Sequence, residues 1–390
     1  MRLAERQQEL DAALLAFRDL WHPQPFREIR PSWCERWPAL HDELLSLPEE
    51  DISRLNDESA VALAMLARHI PAVAGIAPLA TLPERQGAAL PDQRTNWAWE
   101  IPGRKQQQIE AFAAVARASG QPVLDWCGGK GHLGRLLALA WETPVHTLEI
   151  DAGLCDAGAG LAQRARAKQK FVVADALTVA DWPLAGQHAV ALHACGELHR
   201  HLIRDGAGKG VGRFDVAPCC YYRGVAENYQ PLTTDLQLVL TRDDTRLAVT
   251  ETVTSAPRET RQRDRAIAWK LGFDAYRRAV VGDVYRSFKP VPDAWVRAEF
   301  PDFLLRMANR EGLPLPSATA ATELEAQGWR RRDEVMRLSI VRHAFRRAIE
   351  VWLALDLSCY LAERGYGVEL GSFCQRQLTP RNLLISARLA

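Results

Sequence analysis

The sequence predicts an α/β fold: a parallel sheet with helices on both faces, preceded by a helical segment and interrupted late by a second one. Three observations carry this expectation. Between residues 122 and 221, short apolar runs alternate with helical segments. The first run passes through Asp125 into a glycine-rich turn, 123-VLDWCGGKGHLGRLLA-138, and goes directly into helical spacing. The chain ends on two more apolar runs joined by a Pro-containing turn. Continuous Val/Leu/Ala runs between helices are what a sheet buried on both faces looks like. Right-handed crossovers then wind such a sheet.

Taken in order, residues 1 to about 95 read as helices broken by Pro-rich turns. The segments LAERQQELDAALLAF, ALHDELLSL and ESAVALAMLARHI have helical spacing, and Pro71 stops the third. The Trp- and Pro-crowded stretch 21–40 reads as an ordered loop or a set of short turns whose Trp side chains anchor packing. RKQQQIEAFAAVARASG is a helix ending at Gly120. Strands are expected at 122–127, 145–150, 170–175, 188–195 and 213–221. An Arg-rich, mostly helical region follows Pro257, and 366–374 and 382–389 form a closing hairpin at the sheet edge. The expected domains are therefore 1–100 (N-terminal helical), 101–256 (sheet core), 257–365 (helical insertion) and 366–390 (strands completing the core).

Composition narrows the class. Charged residues make up 25% of the 390 and the net charge is +1, which excludes a basic nucleic-acid arm. The charge is uneven: residues 1–240 carry a net of −5 and residues 241–390 a net of +6. The later part is the better candidate for an anionic partner. None of the eight Cys forms a CxxC, so reduced thiols and a cytoplasmic location are expected. No run approaches 18 uncharged apolar residues, so no membrane span is expected.

The glycine turn points to a nucleotide-type ligand. A dinucleotide turn wants G-x-G-x-x-G directly after its strand, with the pyrophosphate at the helix N-terminus. Here an acid comes first, and a carboxylate suits a cationic ligand such as S-adenosyl-L-methionine. Its turn reads acid-x-Gly-x-Gly-x-Gly. Cys127 stands at the first Gly position, and Gly129 and Gly131 fit the others, with Gly128 between. A dinucleotide and a purely structural turn remain alternatives at this point. Glu149 ends the second run 24 positions after Asp125, where an acid can accept from ribose hydroxyls. Asp175 ends the third, and with Ala176 it is placed to meet the adenine.

The stretches VLDWCGGKGHLG, LHACGELH, PCCYY and LTPRNLLISA together resemble the family of methyltransferase-like protein 25 and of the glutathione S-transferase C-terminal domain-containing protein. A looser similarity reaches the tRNA acceptor-stem 2′-O-methyltransferase. The resemblance covers about residues 100–225 and 340–390. It implies a class I methyltransferase (Rossmann-like) fold, S-adenosyl-L-methionine as cofactor, and RNA, either tRNA or rRNA, as substrate. Lys105 and Gln108 match that family's Lys-x-x-Glu/Gln motif, which closes over the methionine end of the cofactor.

Fold and cofactor do not fix the acceptor. The acceptor site is expected at the ends of the fourth and fifth strands, with His193, Cys195, Cys219, Cys220 and Tyr221 as catalytic candidates. His193 reads as a base or an adenosyl contact. Cys195 or Cys219 reads as a nucleophile for carbon-5 chemistry, or as a small hydrophobe. Tyr221 and Tyr222 read as stacking platforms for an extruded base, or as core. His193, Cys195, His199, Cys219 and Cys220 are zinc-type donors without a recognised spacing, and His199 and His201 read as surface residues, so no metal is expected. The Asn/Asp-Pro-Pro-Tyr/Phe motif of amino-group methylation is absent. Lys130 is placed to meet a cofactor carboxylate or a phosphate. Arg261, Arg263, Arg265 and Arg330, Arg331, Arg332 are placed to track a phosphate backbone or to form solvated faces. The alternatives to an RNA enzyme are a protein or small-molecule methyltransferase, and a non-catalytic cofactor-binding module.

Overall fold

The computed structural model describes residues 1–90, 95–250 and 257–390. Its strands are β1 (Val123–Trp126), β2 (Val145–Glu149), β3 (Gln169–Val173), β4 (His188–Cys195), β5 (Arg213–Cys219), β6 (Tyr366–Ser372) and β7 (Leu383–Leu389). They form one sheet in the order β3-β2-β1-β4-β5-β7-β6. The first five pair in parallel, and β7 runs antiparallel to both β5 and β6. The expected closing hairpin is present, with the last strand inside and β6 at the edge. Burial explains that order. Leu383, Leu384 and Ile385 of β7 are fully buried, whereas β6 exposes Gly367 and Glu369, as an edge strand does.

β1 is the middle one of the five parallel strands, and its Val123, Leu124 and Trp126 are buried with no apolar face left to water. The helices Gly103–Val115 and His132–Ala140 cover it with Phe112, Leu136 and Leu137. The strand order reverses between β1 and β4, which opens a crevice beyond their carboxyl ends. No helix among the described residues is long and apolar enough to cross a membrane.

The chain divides into two compact units, and the division corrects the expected boundaries. One unit comprises Met1–Ala16, Gly75–Glu251 and Arg346–Ala390; the other comprises Phe17–Ala74 and Thr252–Phe345. Residues 1–100 are thus not one domain, and the segment 346–365 belongs with the sheet and not with an insertion. The boundary expected at 256/257 lies outside the described residues. The physical reason is the helix Arg346–Ala362, which is buried on nearly all sides. The helix Leu3–Ala16 docks on it through Asp11, whose carboxylate accepts from Trp352 Nε1 (2.9 Å) and from the backbone N–H groups of Gln237 (2.9 Å) and Leu238 (3.3 Å). In the second unit, the helices Pro257–Val281 and Ala318–Ala344 meet at two glycines. A Cβ on Gly328 would lie 2.3 Å from the Ala268 carbonyl oxygen, and one on Gly272 2.6 Å from that of Leu324.

The chain leaving β5 is held by Asp356. Its buried carboxylate accepts from Tyr229 Oη (2.8 Å), Leu232 N (2.8 Å), Thr233 N (2.9 Å) and Thr233 Oγ1 (2.9 Å), with Arg200 at 3.7 Å. Asp356→Ala leaves these donors without their acceptor and removes one anion from beside the buried Arg200, which keeps Glu197 at 3.0 Å. It should cost about 3–5 kcal/mol, the range for breaking a buried ion pair. A urea midpoint that falls by much less would show that water replaces the carboxylate.

Candidate functional site

Asp125 does not face the crevice, which corrects the expectation of a direct cationic partner. Its carboxylate is 2% exposed and turns inward, accepting from Gly134 N (3.1 Å) and Thr147 Oγ1 (3.3 Å). Burial pushes its pKa up to about 6, against the lowering by the Gly134 amide, the Thr147 hydroxyl and the charge of Lys105. The residue fastens β1, β2 and the helix His132–Ala140 together. Two of the turn's three glycines serve the same packing. A Cβ on Gly128 would meet Asp125 Oδ2 at 2.4 Å, and one on Gly131 would meet Gln169 Nε2 at 2.3 Å. Gly129, at φ +59°, alone of the three opens on free space. Cys127, at the first Gly position, is held at φ +56°, a left-handed conformation that costs an L-residue roughly 1–2 kcal/mol. Burial raises its thiol to about 12.

Glu149 is fixed at the end of β2. Its Oε2 accepts from Gly129 N (3.0 Å), and its Oε1 from Ile150 N (3.0 Å) and Asp151 N (3.1 Å). The neighbouring Asp151 caps the next helix through Leu154 N (3.0 Å). Asp175 lies two residues beyond β3, in a turn where it accepts from Leu177 N (2.9 Å), and Ala176 is buried beside it. Lys105 is exposed in the first turn of Gly103–Val115. Lys130 is paired with Glu100 at 3.2 Å.

The ends of β4 and β5 bring His193, Cys195, Cys219 and Cys220 together. His193 sits at φ +72° where the β4 register slips between Leu192 and Cys195. Its ring is exposed, yet the protein around it disfavours the charged form, and the charge of Lys105 adds to that, so its pKa lies below the ordinary value. Its Nε2 lies 3.1 Å from Gln108 Oε1, while Gln108 Nε2 donates to the Leu378 carbonyl (3.2 Å). Cys195 Sγ lies 3.4 Å from Cys219 Sγ, and with Cys220 the three sulfurs all fall within 4.8 Å of one another. Hydrogen bonds from Cys195 and Cys219 pull the Cys220 thiol well below its usual range, and those that Cys219 makes with Cys195 and Cys220 push its own thiol above it.

Tyr221 is not brought to the site. It is fully buried against His199, with ring centroids 5.6 Å apart, and cannot stack a base. Tyr222 is half-buried, with the Arg246 guanidinium 5.6 Å from its ring. His199 is buried too, not on a surface. Its Nδ1 lies 2.9 Å from the Ala194 carbonyl oxygen, and burial lowers its pKa to about 4. The Arg runs are largely used inside the second unit. Arg332 pairs with Asp264 (2.8 Å), Arg331 with Glu334 (2.9 Å) and two carbonyls, and Arg265 lies 5.6 Å from the Trp269 ring. Sequence reasoning missed Thr147, Gln169 and Gly134. Their roles depend on contacts between strands, and no spacing along the chain signals them.

Residues 104–227 match the family described as a methyltransferase domain. The glutathione S-transferase C-terminal domain-containing protein homolog of Drosophila pseudoobscura pseudoobscura is 27% identical over 169 residues, 41% of this chain. The match spans 26% of that relative's length. Among solved structures, magnesium protoporphyrin IX methyltransferase from Synechocystis PCC 6803 is 12% identical, with a TM-score of 0.32, covering 73% of this chain and 83% of that one. An rRNA methylase from Streptococcus thermophilus is 13% identical, with a TM-score of 0.23, covering 36% and 94%. Neither overlay transfers an acceptor to this chain. Residues 104–227 thus match a methyltransferase domain, and they hold the five parallel strands of an α/β, Rossmann-like sheet.

The buried Asp125 makes stability depend on pH. Folding raises its pKa, so the folded state binds more protons than the unfolded state between about 4 and 6. Its contribution is fully present below the unfolded pKa, near 3.8, and is lost as pH rises through about 6. Asp125→Asn keeps an acceptor and removes the charge. The stability of the variant relative to the parent should therefore rise by about 2 kcal/mol between pH 4 and pH 7. Parallel urea titrations across that range measure it, and a flat difference would mean that Asp125 is solvated.

Proposed function

We propose that S-adenosyl-L-methionine lies across the carboxyl ends of β1 to β4 and that this chain transfers its methyl group to RNA, with tRNA or rRNA as the substrate class. The observation that carries the cofactor site is Glu149. Three backbone N–H groups orient its carboxylate and leave one acceptor position on Oε2, suited to a ribose hydroxyl. The residues fit the cofactor, because the free space at Gly129 admits a ligand beside that carboxylate. Asp175 and Ala176 would hold the adenine, Lys105 would close over the methionine end, and Asp125, Cys127, Gly128 and Gly131 would shape the turn from below. When bound, the cofactor supplies a methyl group already activated on a sulfonium, so the protein's work is mainly positioning.

In this reading His193 takes a proton from the acceptor. Gln108 spends its amide N–H on the Leu378 carbonyl and so turns its oxygen to the imidazole. That oxygen can only accept, which puts the ring proton on Nε2 and leaves Nδ1 bare. The lowered pKa keeps the ring neutral at pH 7, as a base requires. The absence of the amino-methylation motif favours a hydroxyl over an exocyclic amine. The RNA reading is supported by the motif kinship, by the positive surplus of residues 241–390 and by two exposed cations near His193 and the cysteines, Lys105 and Arg223. A protein or small-molecule acceptor is the second reading, since kinship alone ties the motifs to RNA.

Glu149→Ala should weaken cofactor binding at least tenfold by calorimetry, with the circular-dichroism spectrum unchanged; unaltered affinity would refute this cofactor site. His193→Asn should lower kcat by about 10²–10⁴-fold without changing cofactor affinity, as expected for loss of a general base. The substrate class is tested by tritium transfer from labelled cofactor into total RNA, and separately into protein, from cells lacking the gene. Label in one RNA size class supports the proposal; label in protein alone overturns it.

A further inference from the structure

All eight cysteines are buried or half-buried, but three of them share one place. Cys34, Cys155, Cys359 and Cys374 are buried in separate parts of the chain, whereas Cys195, Cys219 and Cys220 point their sulfurs at one another. Their convergence is built by the backbone. The parallel register sets Cys195 beside Cys219 on neighbouring strands. Successive residues of a strand face opposite ways, so Cys220 would ordinarily turn away from Cys219. Instead Cys220 is held at φ +45°, a left-handed conformation, and that break in alternation returns its sulfur to the side of the other two. Packing small hydrophobes needs no such arrangement.

We propose that Cys195, Cys219 and Cys220 bind one zinc ion through their sulfurs, at the acceptor end of the cleft. Thiolate is the donor that selects zinc from the common divalent ions. A tetrahedral ion with sulfur at about 2.3 Å places its sulfurs about 3.8 Å apart. The present separations run from 3.4 Å to at most 4.8 Å, so binding requires side-chain shifts of about 1 Å or less. Cys219 is buried and anchors the cluster, while Cys195 and Cys220 are half-buried, which leaves an approach from solvent. Arg223 and Arg381 bring positive charge toward Cys220, offsetting the excess negative charge of three thiolates on a divalent ion. Three protein ligands leave the fourth coordination position for water or an acceptor atom, as in catalytic zinc sites. This reverses the sequence-based expectation of no metal. The reason lies in the β4–β5 register, which gathers ligands 24 and 25 positions apart that no short motif contains.

The test uses the full-length chain purified under reductant and without chelator. Elemental analysis should find about one zinc per chain. After chelation and dialysis, Co²⁺ should restore a sulfur-to-cobalt charge-transfer band and the intense visible bands of tetrahedral coordination. Cys219→Ser should weaken Co²⁺ binding at least 100-fold, the upper end of what losing an outer partner of a ligand costs, while Cys374→Ser leaves it unchanged. If Cys219→Ser does not fold, the half-buried Cys195→Ser provides the same comparison. Metal-free protein that develops no cobalt–thiolate band overturns the proposal, as does a Cys195–Cys219 disulfide that persists under reductant. These readouts need no methyl donor, so they fail or succeed separately from the cofactor site.

Discussion

The site depends on one buried carboxylate. Asp125 lies at the end of the central strand, where an ionised group has no water to solvate it. The Gly134 amide and the Thr147 hydroxyl compensate by hydrogen bonds, with the charge of Lys105 adding to them, and the two donors come from the following helix and the neighbouring strand. The turn must therefore bend so that the helix start sits directly over the carboxylate. Gly128 and Gly134 carry no side chain because a Cβ at either would strike Asp125. The same bend presents the Gly129 N–H to Glu149 and so sets the angle of the carboxylate on the open side. The crevice gets its shape from charge buried beneath it.

Backbone conformation does a second part of the positioning. Among the described residues, non-glycine positions with positive φ include Cys127, His193 and Cys220, all at the carboxyl edge of the sheet. A left-handed residue breaks the in–out alternation of a strand, and each break sends a side chain where regular pleating would not. Conformations of this kind persist only where the surroundings over-determine them. Here the β1, β4 and β5 ladders on one side and the packed helices on the other do so.

Much of the fold was legible because its signals are local. Apolar runs, glycine turns and helical spacing each lie within a dozen residues, and they located all seven strands and the carboxyl edge of the sheet. What was not legible was set by partners far along the chain. Asp11 meets Trp352 across more than 300 positions, so residues 1–16 join the sheet unit against the expected boundary. Asp125 was identified as important, but its inward direction depends on Thr147 and Gly134 and not on the glycine pattern. Tyr221 and Tyr222 are adjacent and chemically alike. Only packing against His199 decides that the first is core. Cys195, Cys219 and Cys220 were grouped as zinc-type donors without a recognised spacing, and their meeting is a property of register.

The Arg-rich stretch shows why net charge is a poor map of an interface. Residues 241–390 hold a surplus of six positive charges, yet Arg331, Arg332 and Arg278 are committed to carboxylates or carbonyls within their own unit. A guanidinium paired in this way releases few counterions when a phosphate approaches, since its charge is already matched. The salt dependence of RNA binding scales with the phosphates neutralised, by about 0.7 per contact for single strands. An acceptor held mainly by Lys105 and Arg223 would therefore show a shallow slope. Recognition would then rest on how the nucleotide fits between Glu149, His193 and the cysteine cluster more than on long-range attraction.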